Sequence, residues 1–166
     1  DGRTYTFHLR RSAWSDGHLI TADDFVWSFQ RLLSPATAAK YAGSAYVIKN
    51  AERVNKGLLP PRELGVRAID PSTFELTLNE PSLYFVQFLT FYAFKPVPRH
   101  VIERLKAKGI DEDLWTRPEH IVCSGAYKLV QWRFRRDMLF EKNDHYWDAA
   151  HVRTPVIRLL AVESEL

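Results

Sequence analysis

The stretch VRAIDPSTFELTL (Val66–Leu78) is the part of the chain whose reading decides the fold. Phe74, Leu76 and Leu78 alternate with polar residues, which is the period of a strand with one buried face. Asp70-Pro71-Ser72-Thr73, just before them, is turn chemistry, so the stretch predicts a β-hairpin. What that hairpin pairs with, and what covers it, is read from its flanks.

Upstream, the chain opens DGRTYTFHLR, where Tyr5, Phe7 and Leu9 alternate with polar residues and predict a strand. The strand is entered within a few residues, with no starting Met and no signal segment, as expected of a strand that belongs to a larger sheet. WSDG (Trp14–Gly17) is a turn, with Asp16-Gly17 supplying the left-handed position of a tight reversal. A helix follows from Thr21, a good N-cap, and Asp23 and Asp24 place negative charge at its positive end. Phe25, Val26, Phe29, Leu32 and Leu33 recur at helical spacing until Ser34-Pro35 stops it. The Ala-rich ATAAKYAGSAYVIKNAERVNKG reads as helical in part, broken near Gly43-Ser44 and closed by Gly57, and LLPPRELG is a proline-rich connection.

Downstream, a short helix is expected from Ser82 to about Leu89. A second starts at Pro98, carries Val101, Ile102 and Leu105 on one side and ends at Gly109. Residues 126–132 and 138–141 read as a strand pair, EKNDHYWDAAHVRTP as a turn-rich return, and VIRLLAVES as a last strand. The expectation is one compact α+β unit. In it a mostly antiparallel sheet, built from the first strand, the 66–78 hairpin and the 126–141 pair, is packed by helices 21–33 and 98–108.

Composition narrows the function classes. Among 166 residues, 46% are hydrophobic and 26% charged, the balance of an ordinary globular domain, while aromatics reach 13%. Rings in excess serve either a core or a binding surface. Against 20 Asp and Glu stand 23 Lys and Arg, too small an excess to point to nucleic acid. The densest basic cluster, Arg133, Arg135 and Arg136, sits beside Asp137 and Glu141 and reads as a solvated strand face, so no nucleic-acid partner is expected. A single cysteine, Cys123, excludes an internal disulfide and a multi-cysteine zinc site. The greasiest run, LYFVQFLTFYAF (Leu83–Phe94), is far short of the ~20 residues of a membrane-spanning helix.

Catalytic chemistry finds no footing. His120 and Cys123 lie three apart, but a surface histidine and a buried thiol are the plainer assignment. His145 and His151 flank YWDAA without helical spacing, and Asp23-Asp24 is accounted for by helix capping. No Gly-rich phosphate loop, nucleophile elbow or zinc-helix motif is present, so neither enzyme activity, a cofactor nor a metal is expected. The aromatic run divides differently. On one helix Tyr84, Phe85, Phe88 and Phe91 would share a core face, whereas Phe91, Tyr92 and Phe94 lie near the helix end, where rings can face a cleft, and Tyr41 beside Gly43 has similar freedom.

In order and spacing, several stretches together resemble the periplasmic oligopeptide-binding proteins of ABC importers, the large solute-binding family that includes dipeptide and nickel binders. They are DGRTYTFHLR, WSDGHLITADDFVWSFQRLLSPATAAKYA, LGVRAIDPSTFELTLNEPSLYF, KPVPRHVIE, SGAYKLVQW and EKNDHYWDA. The resemblance implies a fragment of a chain about three times as long, with the three-lobed type II periplasmic-binding fold. Residues 1–150 would form the small outer lobe of the N-terminal half, and 151–166 the start of a strand returning to the first lobe. It implies an exported protein, periplasmic or anchored as a lipoprotein, that hands oligopeptides to a membrane permease. Other members take a dipeptide, a nickel complex or a sugar oligomer, and a sensor or chaperone lobe that binds a partner protein is a further alternative.

In the family, peptide backbone pairs with protein strands and side chains sit in roomy, hydrated pockets. The tyrosine of the family's YA position reaches ligand, and Tyr41 is the matching residue. The stretch before PVP lies near the same cleft, and Phe91 and Tyr92 stand there where a close relative carries a histidine and a proline, a departure that favours a more apolar or smaller guest. RRSAWSDG looks one residue shorter than the family spacing, a change the loop is expected to absorb. Strands at both ends of the chain would offer edges for self-association.

Overall fold

The structure is a computed structural model that describes residues 2–162. Contacts divide the chain into two units rather than the one expected: Thr21–Val97 with the segment up to Arg10, and Arg11–Ile20 with the chain from Pro98 onward. Each has its own three-stranded antiparallel sheet. The single sheet anticipated from the sequence is therefore corrected to two, because each hairpin's inner strand already has a partner on both edges.

In the first unit the elements run β1 (Thr4–His8), α1 (Ala22–Leu32), α2 (Ala51–Asn55), β2 (Val66–Asp70), β3 (Thr73–Thr77) and α3 (Phe85–Phe88). The predicted hairpin is β2 and β3, and β3 is the central strand between β1 and β2. Its turn is held as the sequence suggests: the Asp70 carboxylate accepts from the Ser72 N–H at 2.7 Å and the Ser72 hydroxyl at 2.8 Å. Phe74 and Leu76 are buried and stand opposite Phe7 and Tyr5 of β1. Helix α1 covers β2 and β3, with the Phe25 and Phe29 rings 5.5 and 6.0 Å from that of Phe74. At its start the Asp24 carboxylate accepts from the Thr21 N–H at 2.9 Å, the capping role expected of that acid.

Three backbone segments meet at Gly65. The Gly65 N–H donates to the Lys49 carbonyl, Lys49 N–H to the Thr77 carbonyl and Thr77 N–H to the Gly65 carbonyl, at 2.9, 2.9 and 2.7 Å. A Cβ on Gly65 would stand 2.7 Å from both the Lys49 Cβ and the Thr77 oxygen. Glycine is required there by close approach, and this closed ring of bonds ties the end of β3 to the chain ahead of α2 and β2.

In the second unit, residues 12–20 form a tight antiparallel reversal, with Ala13 bridged to Leu19 and the Trp14 N–H donating to the His18 carbonyl at 2.8 Å. Gly17 at its tip has φ +90, the left-handed geometry predicted for Asp16-Gly17. Helix α4 (Arg99–Ala107) buries Val101, Ile102 and Leu105 as expected. Within this unit it packs on the 3-10 turn Glu112–Thr116. Strands β4 (Tyr127–Arg133), β5 (Asp137–Lys142) and β6 (Val156–Leu160) form the second sheet in that order. The sequence extends the last strand to Ser164, part of which lies outside the described residues.

This sheet rests on buried polar groups. Asp137 is 5% exposed and takes two bonds from the Arg133 guanidinium, with Arg158 4.0 Å away. The Arg133 hydrogen bond holds its carboxyl below the ordinary value of 3.8, against the opposing effect of burial. Asn143, 1% exposed, donates to the Gly125 carbonyl at 2.8 Å and accepts from the His145 N–H at 3.0 Å.

Gly65→Ala is expected to destabilise the first unit by about 1–3 kcal/mol, because backbone must move to admit the methyl group; a denaturant midpoint equal to wild type would show that the ring of bonds relaxes freely. Asp137 stabilises the fold above its unfolded value near 3.8, and that contribution disappears as pH falls through its lower folded value. Asp137→Asn is therefore expected to flatten the acid limb of the stability profile, and an unchanged limb in acid titrations followed by circular dichroism would contradict this.

Candidate ligand-binding site

The residues expected at a ligand site, Tyr41, Phe91 and Tyr92, come together in the first unit. Tyr41 precedes the 3-10 turn Ala42–Ala45, and Phe91 and Tyr92 open the turn Tyr92–Phe94 fifty residues later in the chain. Edge to face, the Tyr41 ring lies 5.3 Å from Phe91 and 5.4 Å from Tyr92, and Phe91 lies 4.7 Å from Tyr92. These are the offset separations at which aromatic quadrupoles attract.

The trio is rooted in the core by Phe94, which the sequence grouped with Phe91 and Tyr92 as a ring able to face a cleft, an expectation its burial corrects. Phe94 is buried, with its ring 5.7 Å from Phe91, 5.1 Å from Phe88 and 5.7 Å from Phe29. Phe29 stacks in turn on Phe74 of β3. A ladder of rings thus runs from the sheet to Tyr92, which is 60% exposed, and Tyr41, which is 36% exposed. The spacing Phe88-x-x-Phe91-x-x-Phe94 was the available signal for this buttress.

The expected helical face is corrected here. Tyr84, placed in the core by helical spacing, is 76% exposed, whereas Phe85 is 2% exposed. Helix α3 is a single turn, and the chain leaves it after Leu89 and resumes as a 3-10 turn, so the 3.6-residue phase does not carry through. In the Ala-rich stretch, likewise, 3-10 turns at Pro35–Thr37 and Ala42–Ala45 precede the short α2, and Gly57 closes it with φ +70.

Electrostatically the cluster is mild. The Lys40 ammonium lies 5.5 Å from the Tyr41 ring centre, within cation–π range. A hydrogen bond with Tyr41 raises the Tyr92 hydroxyl above its ordinary value of 10.0, aided by desolvation. At neutral pH the site therefore presents apolar ring faces, phenolic donors and the Lys40 cation, which suits apolar and hydrogen-bonding guests.

The histidine and cysteine candidates belong to the second unit. In the second unit the Cys123 thiol donates to the Tyr127 carbonyl at 3.1 Å and its N–H to the Ser15 hydroxyl at 3.2 Å. His151 bonds to Asp148, and His145 borders Gly17. Of the basic cluster, Arg133 is held by Asp137, and Arg135 lies 5.5 Å from the Phe134 ring centre. Among the described residues no helix is long and apolar enough to cross a membrane.

Residues 1–165 match the family described as bacterial extracellular solute-binding proteins, family 5 Middle. The chain belongs to this family. It is 41% identical over 169 residues to the periplasmic oligopeptide-binding protein OppA of Salmonella typhimurium, an alignment covering 100% of this chain and 30% of that protein. To the probable deoxycholate-binding periplasmic protein YgiS of Escherichia coli it is 37% identical over 168 residues, covering 99% of this chain and 30% of that one. The structure of Haemophilus influenzae OppA in complex with RPPGFSPFR is similar at a TM-score of 0.88 and 37% identity, covering 98% of this chain and 31% of that one. The chain therefore spans about 30% of the length of the curated relatives it matches. The α+β class expected from the sequence stands, as does the family.

Because the raised Tyr92 value depends on Tyr41, Tyr41→Phe is expected to bring the Tyr92 titration back toward 10.0. Tyrosinate absorbance during alkaline titration reads this directly. An unshifted curve in the variant would mean that the two hydroxyls do not share a hydrogen bond.

Proposed function

We propose that the chain is the outer lobe of a solute-binding protein that captures oligopeptides for an ABC importer. The observation that carries this reading is the convergence of Tyr41, Phe91 and Tyr92, distant in sequence, into one half-exposed cluster anchored on Phe94. Tyr41 is the residue that the family pattern assigns to ligand. Several relatives named for oligopeptide binding, and the H. influenzae complex with a peptide, support the substrate class.

In this reading residues 1–150 make the lobe and 151–166 begin the return toward the rest of the protein. The partner is a membrane permease, the setting is the periplasm or the outer face of the membrane with a lipid anchor, and the protein is not an enzyme. The rings supply apolar faces for peptide side chains, while main-chain pairing is left to the rest of the protein. Such a rim tunes affinity without dominating it. β1 and β6 each form one edge of their sheets, and self-association of the isolated chain would run through them.

Calorimetry of the full-length parent with a mixed peptide library tests the assignment. Saturable heat is expected, and Tyr41→Ala is expected to weaken binding about three- to tenfold, that is by about 1 kcal/mol. No heat with any peptide, in a protein that binds a bile acid or a metal complex instead, would overturn the substrate class.

A further inference from the structure

The second unit brings together three side chains that the functional reading does not use. Asp16 and His18 sit at the tip of the 12–20 reversal, and His100 lies in the first turn of α4, more than eighty residues along the chain. The Asp16 Oδ2 is 2.8 Å from His100 Nε2 and 3.2 Å from His18 Nδ1. All three ligand-type atoms lie within 4.8 Å of one another.

We propose that Asp16, His18 and His100 form a binding site for a divalent cation of the Zn2+ type. Tetrahedral zinc, with bonds of about 2.0–2.1 Å to nitrogen and oxygen, places its ligand atoms about 3.3 Å apart. The two separations from Asp16 Oδ2, 2.8 and 3.2 Å, are already close to that, and the two imidazoles, which stack, turn from one another to bring both nitrogens onto a cation. Two imidazole nitrogens and one carboxylate oxygen form a donor set that suits zinc, copper or nickel and is a poor match for magnesium or calcium.

The surroundings orient these atoms. The His18 N–H donates to Asp16 Oδ1 at 3.3 Å, which turns Oδ2 toward the imidazoles. The reversal is closed below the site by the Trp14 N–H to the His18 carbonyl and by the Gly17 N–H to the Trp14 carbonyl, both 2.8 Å. The His18 and His100 rings stack at 4.3 Å and 22°, and the Trp14 ring packs 6.4 Å from His100. The His18 side chain is 63% exposed, so a cation has an open approach and a fourth coordination position is left to water.

A bound cation ties the reversal to α4 within one unit and releases any protons held on the two facing nitrogens. Its stabilisation grows with free cation concentration by mass action. None of this depends on which solute the protein captures.

The test is calorimetric titration of the untagged full-length protein, stripped with chelator, with ZnCl2 and separately with MgCl2. One Zn2+ per chain is expected, with a rise in melting temperature that chelator reverses and with no response to Mg2+. His18→Gln, on the exposed side, and His100→Gln are each expected to weaken Zn2+ binding by about tenfold or more. Absence of saturable Zn2+ binding, undiminished affinity in the well-folded His18→Gln protein, or equal binding of Mg2+ would each overturn the assignment.

Discussion

The packing of Phe94 is the constraint on which the candidate site depends. Its ring is buried where α1, α3 and the turn after α3 meet, within 6 Å of the rings of Phe29, Phe88 and Phe91. The hydrophobic stabilisation of such a ring comes from the core, but its geometric consequence is felt at the surface. Phe91 packs edge-on against Phe94, and Tyr41 and Tyr92 lie against Phe91. Exposed aromatic side chains that are held in this way lose little further freedom when a ligand arrives, which is the physical advantage of building a binding surface on a core ladder.

The two units solve the problem of stability differently. The first relies on apolar layers and on the closed ring of backbone bonds at Gly65. The second sheet leans on buried polar groups: Asp137 between arginines, and Asn143 with both ends of its amide engaged. Polar anchors of this kind specify geometry strongly, because each loses its partner if the register slips.

Much of the local structure was legible in the chain. The 66–78 hairpin, the capped start of α1, the Asp16-Gly17 reversal and the apolar face of α4 each follow from patterns spanning a few residues, and each forms as read. The aromatic run was not, because its period assumed one helix, and a single turn of helix followed by a 3-10 turn resets the phase. Tyr84 therefore faces solvent while Phe85 and Phe94 are buried. Gly65 also escaped notice: nothing local marks a glycine needed by two distant backbone segments rather than by its own φ.

The sequence by itself determined the family, the α+β class and the identity of three aromatic residues worth watching, because motif order, strand alternation and helix caps are encoded over short spans. Only the tertiary structure decided that the hairpins belong to two separate sheets, and that Tyr41 meets Phe91 and Tyr92. It alone brought His100 to the carboxylate beside His18. Each of these is a pairing between residues far apart in the chain. Short-range patterns carry no information about which distant partner the loop-closure entropy and the packing of a core will select.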